Sequence, residues 1–546
     1  MMKLKHPRLF GMALLLGGLV RPVHADTYPR QPGVDAVHYA FALTLRDDSD
    51  VIDGETQIRL RFVNAGVGQV TLDLMNRAGD KGMTVASVTL PGAQAVVFSH
   101  TGDRLTVTLP QPSTAGQEAT LTVRYSGVPA AGLRIGPNRH GDRVFFSESW
   151  PNNARHWLPM IDHPYDKATG EFIVTAPAQY QVVANGLLVE ELDLPGGARR
   201  THWKQSVPIA SWLYALGVAR FAVHHAGLVK GVELSSYVFP QNREEVTPAF
   251  EMTGREALSF FHENIGPFPY EKLANVQAMG FAGGTEHASA IFYGENSVTG
   301  RSIVDLVTHE IAHQWFGDSI TERDWDDAWL SEGFATYFTL LFTEHSQGRD
   351  AFVAGLRSSR ARVLELEQKL PDTPVIHRNL SDMKKVLNQL IYQKGGWTLH
   401  MLRAQIGAEV FWTGIRDYYR RYRDGSATTD DFRHEMERVS AQDLGWFFRQ
   451  WLTRSGVPRI EGSWRYDTTL KQVEVTITQT QSADVYRLPL DVGIELKAAE
   501  ALKIEKVLLT SRTARFAFAA DTEPVAVTLD PDTWLMMDAG PFVKAR

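Results

Sequence analysis

From about residue 36 to about 225 the chain alternates apolar and polar residues with a period of two. His38-Tyr39-Ala40-Phe41-Ala42-Leu43-Thr44-Leu45 and Gln57-Ile58-Arg59-Leu60-Arg61-Phe62 are examples, and turn residues such as Asp53-Gly54 break the runs. Successive side chains of a strand point to opposite faces, so this pattern predicts an all-β domain. From about residue 247 the spacing turns helical, over 250–264, 302–316, 330–343 and 382–406. Thr428-Thr429 ahead of Asp430 and Asp431 predicts one more helix start, where a hydroxyl and early carboxylates suit exposed N–H groups. After Ser455-Gly456-Val457-Pro458 the alternation returns, as in Gln472-Val473-Glu474-Val475-Thr476-Ile477 and Ala514-Arg515-Phe516-Ala517-Phe518. The last ninety or so residues are therefore expected to form a small β-sandwich.

These changes of period predict an α+β multidomain chain: a β domain over 26–226, a mainly helical domain over 227–455 and a β-sandwich over 456–546. A length of 546 residues, too great for one core, agrees. Residues 1–25 have the form of a signal peptide, with basic Lys3, Lys5 and Arg8, an apolar stretch over 9–20, and Val23-His24-Ala25 as a small-x-small cleavage site. That stretch falls short of the ~20 apolar residues a span requires. The expectation is cleavage before Asp26, no stable membrane span afterwards, and export to the periplasm or the medium.

The chain has no cysteine, which rules out disulfides, a lipidated cysteine and thiolate metal ligands, and leaves His, Asp and Glu to hold any metal. Loss of Lys3, Lys5, Arg8 and Arg21 with the leader takes the formal charge from −7 to −11, a poor surface for nucleic acid.

The motif that carries chemistry is His309-Glu310-Ile311-Ala312-His313, inside a helical segment without Pro or Gly. Residues four apart on a helix share a face about 6 Å apart along the axis, so both imidazoles reach one ion. A catalytic zinc takes three protein ligands and keeps one position open. Glu332, with eighteen residues between it and His313, is the candidate third ligand, at the start of a second apolar helix. Glu310 is placed to take a proton from water on the open side.

At these residues the chain resembles the aminopeptidase N family of gluzincin metallopeptidases, whose zinc helix is followed by a Glu in a Trp-Leu-Asn-Glu-Gly-Phe-Ala context. Here that context reads Trp329-Leu330-Ser331-Glu332-Gly333-Phe334-Ala335, with Ser331 in place of Asn. The likeness extends through Pro267-Phe268-Pro269-Tyr270-Glu271-Lys272-Leu273 to Thr429-Asp430-Asp431-Phe432 and Trp451. It implies a thermolysin-like catalytic domain, one Zn2+ per chain and substrates that are peptides with a free N-terminus. It also implies a compact form of the family without the C-terminal helical domain of larger relatives.

By the same resemblance, Gly283-Gly284-Thr285-Glu286-His287 matches the family's exopeptidase loop, commonly Gly-Ala-Met-Glu-Asn. Glu286 is then expected to bind the substrate's α-ammonium, and Gly283 and Gly284 to let backbone approach the peptide. Tyr392 is expected to donate to the oxyanion, its alternative being a core tyrosine. Glu148 falls where the family supplies a further amine contact, and its alternative is a surface acid. His287 is read as a hydrogen-bonded loop histidine.

Overall fold

The computed structural model describes residues 26–298, 303–378, 380–496 and 502–545. The signal-peptide reading of 1–25 lies outside the described residues.

The first half is β-rich, as its alternation predicts. Val34–Thr44, with inward Ala36, Tyr39, Phe41 and Leu43, sits inside an eight-stranded sheet, antiparallel to Ile52–Phe62 and parallel to Lys167–Pro177. A four-stranded sheet contains Leu133–Pro137 at its edge and Arg143–Ser147 beside it. Val144 and Phe146 of the latter point into a second hydrophobic core with Val276, Ala290 and Phe292. Those partners belong to a five-stranded sheet built from Ala222–Val229, Val232–Val238, Lys272–Ala278, Ala290–Gly294 and Gly284–Thr285, in that spatial order. Face-to-face packing of the two sheets brings the β domain against the mainly helical region.

This second sheet departs from the sequence reading in two ways. The strand Ala222–Val229 runs through the expected boundary at 226, because alternation alone does not tell one sheet's last strand from the next sheet's first. Lys272–Ala278 and Ala290–Gly294 lie in a stretch read as helical in character. Every residue of both strands is buried, so neither shows the period of two that exposes a half-buried strand.

Eight α-helices follow among the described residues: α1 Arg243–Asn264, α2 Ile303–His313, α3 Trp329–Gln347, α4 Arg349–Lys369, α5 Gln389–Ile406, α6 Ala408–Tyr422, α7 Thr429–Ser440 and α8 Gly445–Leu452. The Thr428 cap is present as a capping box, in which Thr428 and Asp431 each accept from the other's backbone N–H. The helix expected from 382 begins only at Gln389, since Asn388 caps α5 and Asp382 caps a separate short turn. Helix α4 was not among the expected elements, yet its buried Phe352, Leu356, Ser359 and Val363 recur at helical spacing.

The C-terminal part holds two sheets, of four and three strands. Val473, Val475 and Ile477 of Gln472–Gln479 alternate inward, as their spacing predicts. No helix among the described residues is long and apolar enough to cross a membrane.

Candidate metal centre

Helix α2 carries His309, Glu310 and His313 on its last turns, and α3 carries Glu332 in its first turn. A close approach brings α3 and α5 together. Gly333 of α3 faces Gly395 of α5 so closely that a Cβ at 333 would stand 2.9 Å from the Gly395 carbonyl carbon. Glu332 and Tyr392 are thereby drawn to the same side, and the Tyr392 ring stacks on His309 with centroids 6.2 Å apart.

His309 Nε2 and His313 Nε2 are 3.1 Å apart, and each is 3.3 Å from Glu332 Oε2. Donors about 2.0–2.1 Å from one ion at tetrahedral angles stand about 3.3 Å from one another, so the triangle fits zinc. The N, N, O donor set suits it as well. His313 Nδ1 lies 3.1 Å from the Phe316 carbonyl and 3.0 Å from Ser331 Oγ. Donation from Nδ1 to that carbonyl leaves Nε2 with a free lone pair facing Glu332 and His309.

Ser331, the departure from the family's Asn, therefore has a definite contact. Gly317 makes room for it: a Cβ there would lie 2.3 Å from Ser331 Oγ, and the backbone at φ +115° already favours glycine.

Around this triangle the side chains are acidic and buried. Glu310 is pushed well above the usual carboxyl value by burial and by the nearby Glu286 charge. Glu286 is raised by burial, with His313 opposing and Glu332 and Glu148 adding to the rise. Burial disfavours charge on Glu332 too, but His313 and His309 overcome it and hold the carboxyl down at about 2. Burial alone would lower His313, yet the carboxylates of Glu286 and Glu332 raise it overall. Several carboxylates crowded about two imidazoles make a pocket that favours a cation. The Tyr392 hydroxyl is driven well above its ordinary value by burial and then by Glu332, so it stays a neutral donor.

Gly284 stands at the start of a two-residue edge strand. A Cβ there would come within 2.4 Å of Glu310 Cγ, Cδ and Oε1, so its bare backbone makes room for Glu310. A Cβ at Gly283 would meet nothing within 4 Å. Gln314, which sequence reasoning passed over, binds this loop to the end of α2. Its Nε2 donates to the Glu286 carbonyl at 3.0 Å and to Asp318 Oδ2 at 2.8 Å, and its Oε1 accepts from Ser289 N. Its position directly after His313 was the only clue.

His287 corrects the expectation of a hydrogen-bonded loop histidine. It is fully buried edge-on to Phe292, neither ring nitrogen has a hydrogen-bond partner among the described residues, and burial lowers its pKa to about 3. Glu148 is half-buried, raised by burial and held back by Arg134, which donates to its Oε2 at 2.9 Å.

Sequence comparison matches residues 249–451 to the peptidase family M1 domain and residues 35–213 to the peptidase M1 N-terminal domain, together most of the chain. The chain belongs to peptidase family M1. Glutamyl aminopeptidase of Bitis rhinoceros is 25% identical over 460 residues, 79% of this chain and 48% of its own. The M1 zinc metallopeptidase of Deinococcus radiodurans is 26% identical with a TM-score of 0.65, over 77% of this chain and 94% of its own. Aminopeptidase A of Legionella pneumophila, solved with aspartic acid, shares the fold at 19% identity and a TM-score of 0.79, over 94% of this chain and 60% of its own. The chain spans a third to a half of the length of the curated M1 relatives it matches.

Proposed function

We propose that this M1 chain is a zinc-dependent aminopeptidase that removes the N-terminal residue from peptides. The observation that carries the proposal is the triangle of His309, His313 and Glu332, with sides of 3.1 to 3.3 Å, set beside the buried Glu310 and Glu286. Bound zinc supplies Lewis acidity and brings the pKa of a water towards about 7.

The chain's own groups do the rest. Glu286 pairs with the substrate's α-ammonium, which fixes the first peptide bond at the centre and makes the enzyme an exopeptidase. Glu310 takes a proton from the attacking water and returns it to the leaving nitrogen. Tyr392 donates a hydrogen bond to the oxyanion that forms on the scissile carbonyl.

The proposal extends to finer points. A thermolysin-like catalytic domain that begins with the strand Ala222–Val229 and runs to about residue 455, and a C-terminal β-sandwich over 456–546, are supported by the M1 match over 249–451 and by the two C-terminal sheets. Removal of residues 1–25 and export to the periplasm or the medium follow from the leader's composition.

The test compares an aminoacyl-amide substrate with its N-acetylated twin, with and without a chelator. We expect cleavage of the free amine only, loss of activity on chelation and recovery with about one zinc per chain. Equal cleavage of both compounds would overturn the exopeptidase reading, and indifference to the chelator would overturn the metal.

A further inference from the structure

Arg134 lies on Leu133–Pro137, the edge strand of the β-domain sheet that packs on the catalytic sheet. Its guanidinium has three partners. Nη2 donates to Glu148 Oε2 at 2.9 Å, Nη1 donates to the carbonyl of Gly280, and the guanidinium carbon stands 5.2 Å from the centre of the Phe281 ring. Gly280 and Phe281 open the loop that continues through Gly283 and Gly284 to Glu286.

Gly280 is fitted to this contact. Its φ is +89°, a turn that favours glycine, and a Cβ there would come within 2.6 Å of Arg134 Nη1. The opposite end of the ion pair is fixed too. Glu148 follows Arg143–Ser147 directly, and Phe146 of that strand sits edge-on to Phe292 of the catalytic sheet at 5.5 Å.

We infer that Arg134 is a positioning residue for amine recognition: it ties Glu148 to the loop that carries Glu286. This rests on the aminopeptidase reading and adds a component to it. The one cation offsets the charge of Glu148 where the β domain meets the loop. A bidentate, planar cation suits the task, because it grips a carboxylate and a carbonyl at once where an ammonium acts as a point charge.

The experiment uses the full-length zinc enzyme and the variants R134M, R134K, E148Q and R134M with E148Q. An aminoacyl amide reports KM and kcat separately, and n-hexylamine, as a competitive inhibitor, reports the amine subsite without turnover. R134M is expected to raise KM and the hexylamine inhibition constant about ten-fold, the scale of one charged hydrogen bond, with a smaller change in kcat. Zinc content and thermal midpoint should match the parent protein. R134K should recover part of the loss, and R134M should add far less in the E148Q background than alone.

Unchanged or tighter hexylamine binding in R134M would overturn the inference, as would equal effects in both backgrounds. Should R134M fail to fold, R134K and E148Q read the same constants. Failure here is distinct from failure of the parent reading: an enzyme that demands a free amine, yet binds hexylamine equally with and without Arg134, removes only this inference.

Discussion

Single residues at the proposed centre are tuned by what touches them. Gly284 illustrates this, since the absent Cβ is what lets the Glu310 carboxyl lie against the loop. In Gly284→Ala the added methyl would meet Glu310 at 2.4 Å, and the side chain, being the softer partner, would swing away. A base displaced by about 1 Å loses on the order of a hundred-fold in rate, so we expect that loss in kcat/KM with zinc binding retained. Activity near that of the parent protein would mean that Glu310 is not the base or tolerates the shift. Ser331 belongs to the same scale. In sequence it was only a departure from a family pattern, while in space it lies 3.0 Å from His313 Nδ1.

Among the elements, the close crossing of α3 and α5 decides where Glu332 and Tyr392 meet. Glycines on both sides let backbone touch backbone, and no flexible side chain is available to yield. Gly333→Ala should therefore push the helices apart and cost about 1–3 kcal/mol of stability, measurable in denaturant. It should also weaken zinc binding, because the shift moves Glu332 relative to α2. An unchanged unfolding midpoint would contradict the packing argument. The legibility of elements follows the same physics. Half-buried strands and the capped start of α7 were readable because one face differs from the other, or because a cap has its own chemistry. The fully buried strands Lys272–Ala278 and Ala290–Gly294 gave no such contrast.

Across the whole molecule, buried polar contacts join the parts that hydrophobic packing brings together. Lys167 of the β domain donates to the carbonyls of Asp318, Ser319 and Gly425, each at 3.0 Å, and so ties that domain to the segment after α2. Asp327, in the turn before α3, accepts from the Thr429 backbone at 3.2 Å and from its hydroxyl, linking α3 to α7. Burial and then the Asp326 charge raise Asp327 from the ordinary 3.8 to about 7. The folded state thus holds this proton more tightly than the unfolded state between about pH 4 and 7, and stability falls as pH rises through that window. Asp327→Asn keeps an acceptor for Thr429 and carries no charge. Its thermal midpoint relative to the parent protein should improve from pH 5 to pH 8, and a difference independent of pH would refute the assignment.

What the sequence by itself determined was whatever depends on short separations along the chain. A helix places residues four apart on one face, so His309 and His313 were fixed as partners, and a strand alternates its faces, so the β domain was readable. The need for a third ligand added Glu332 at the start of the next apolar helix, and family motifs added Glu286 and Tyr392 as expectations. Tertiary structure alone decided how close the three donors come, which glycine gives way to which side chain, and that Arg134 reaches both Glu148 and Gly280 across 14 and 146 residues of chain. Such contacts arise from sheets packing on sheets and helices crossing at glycines, and no local period in the sequence encodes the distance between elements that meet only after folding.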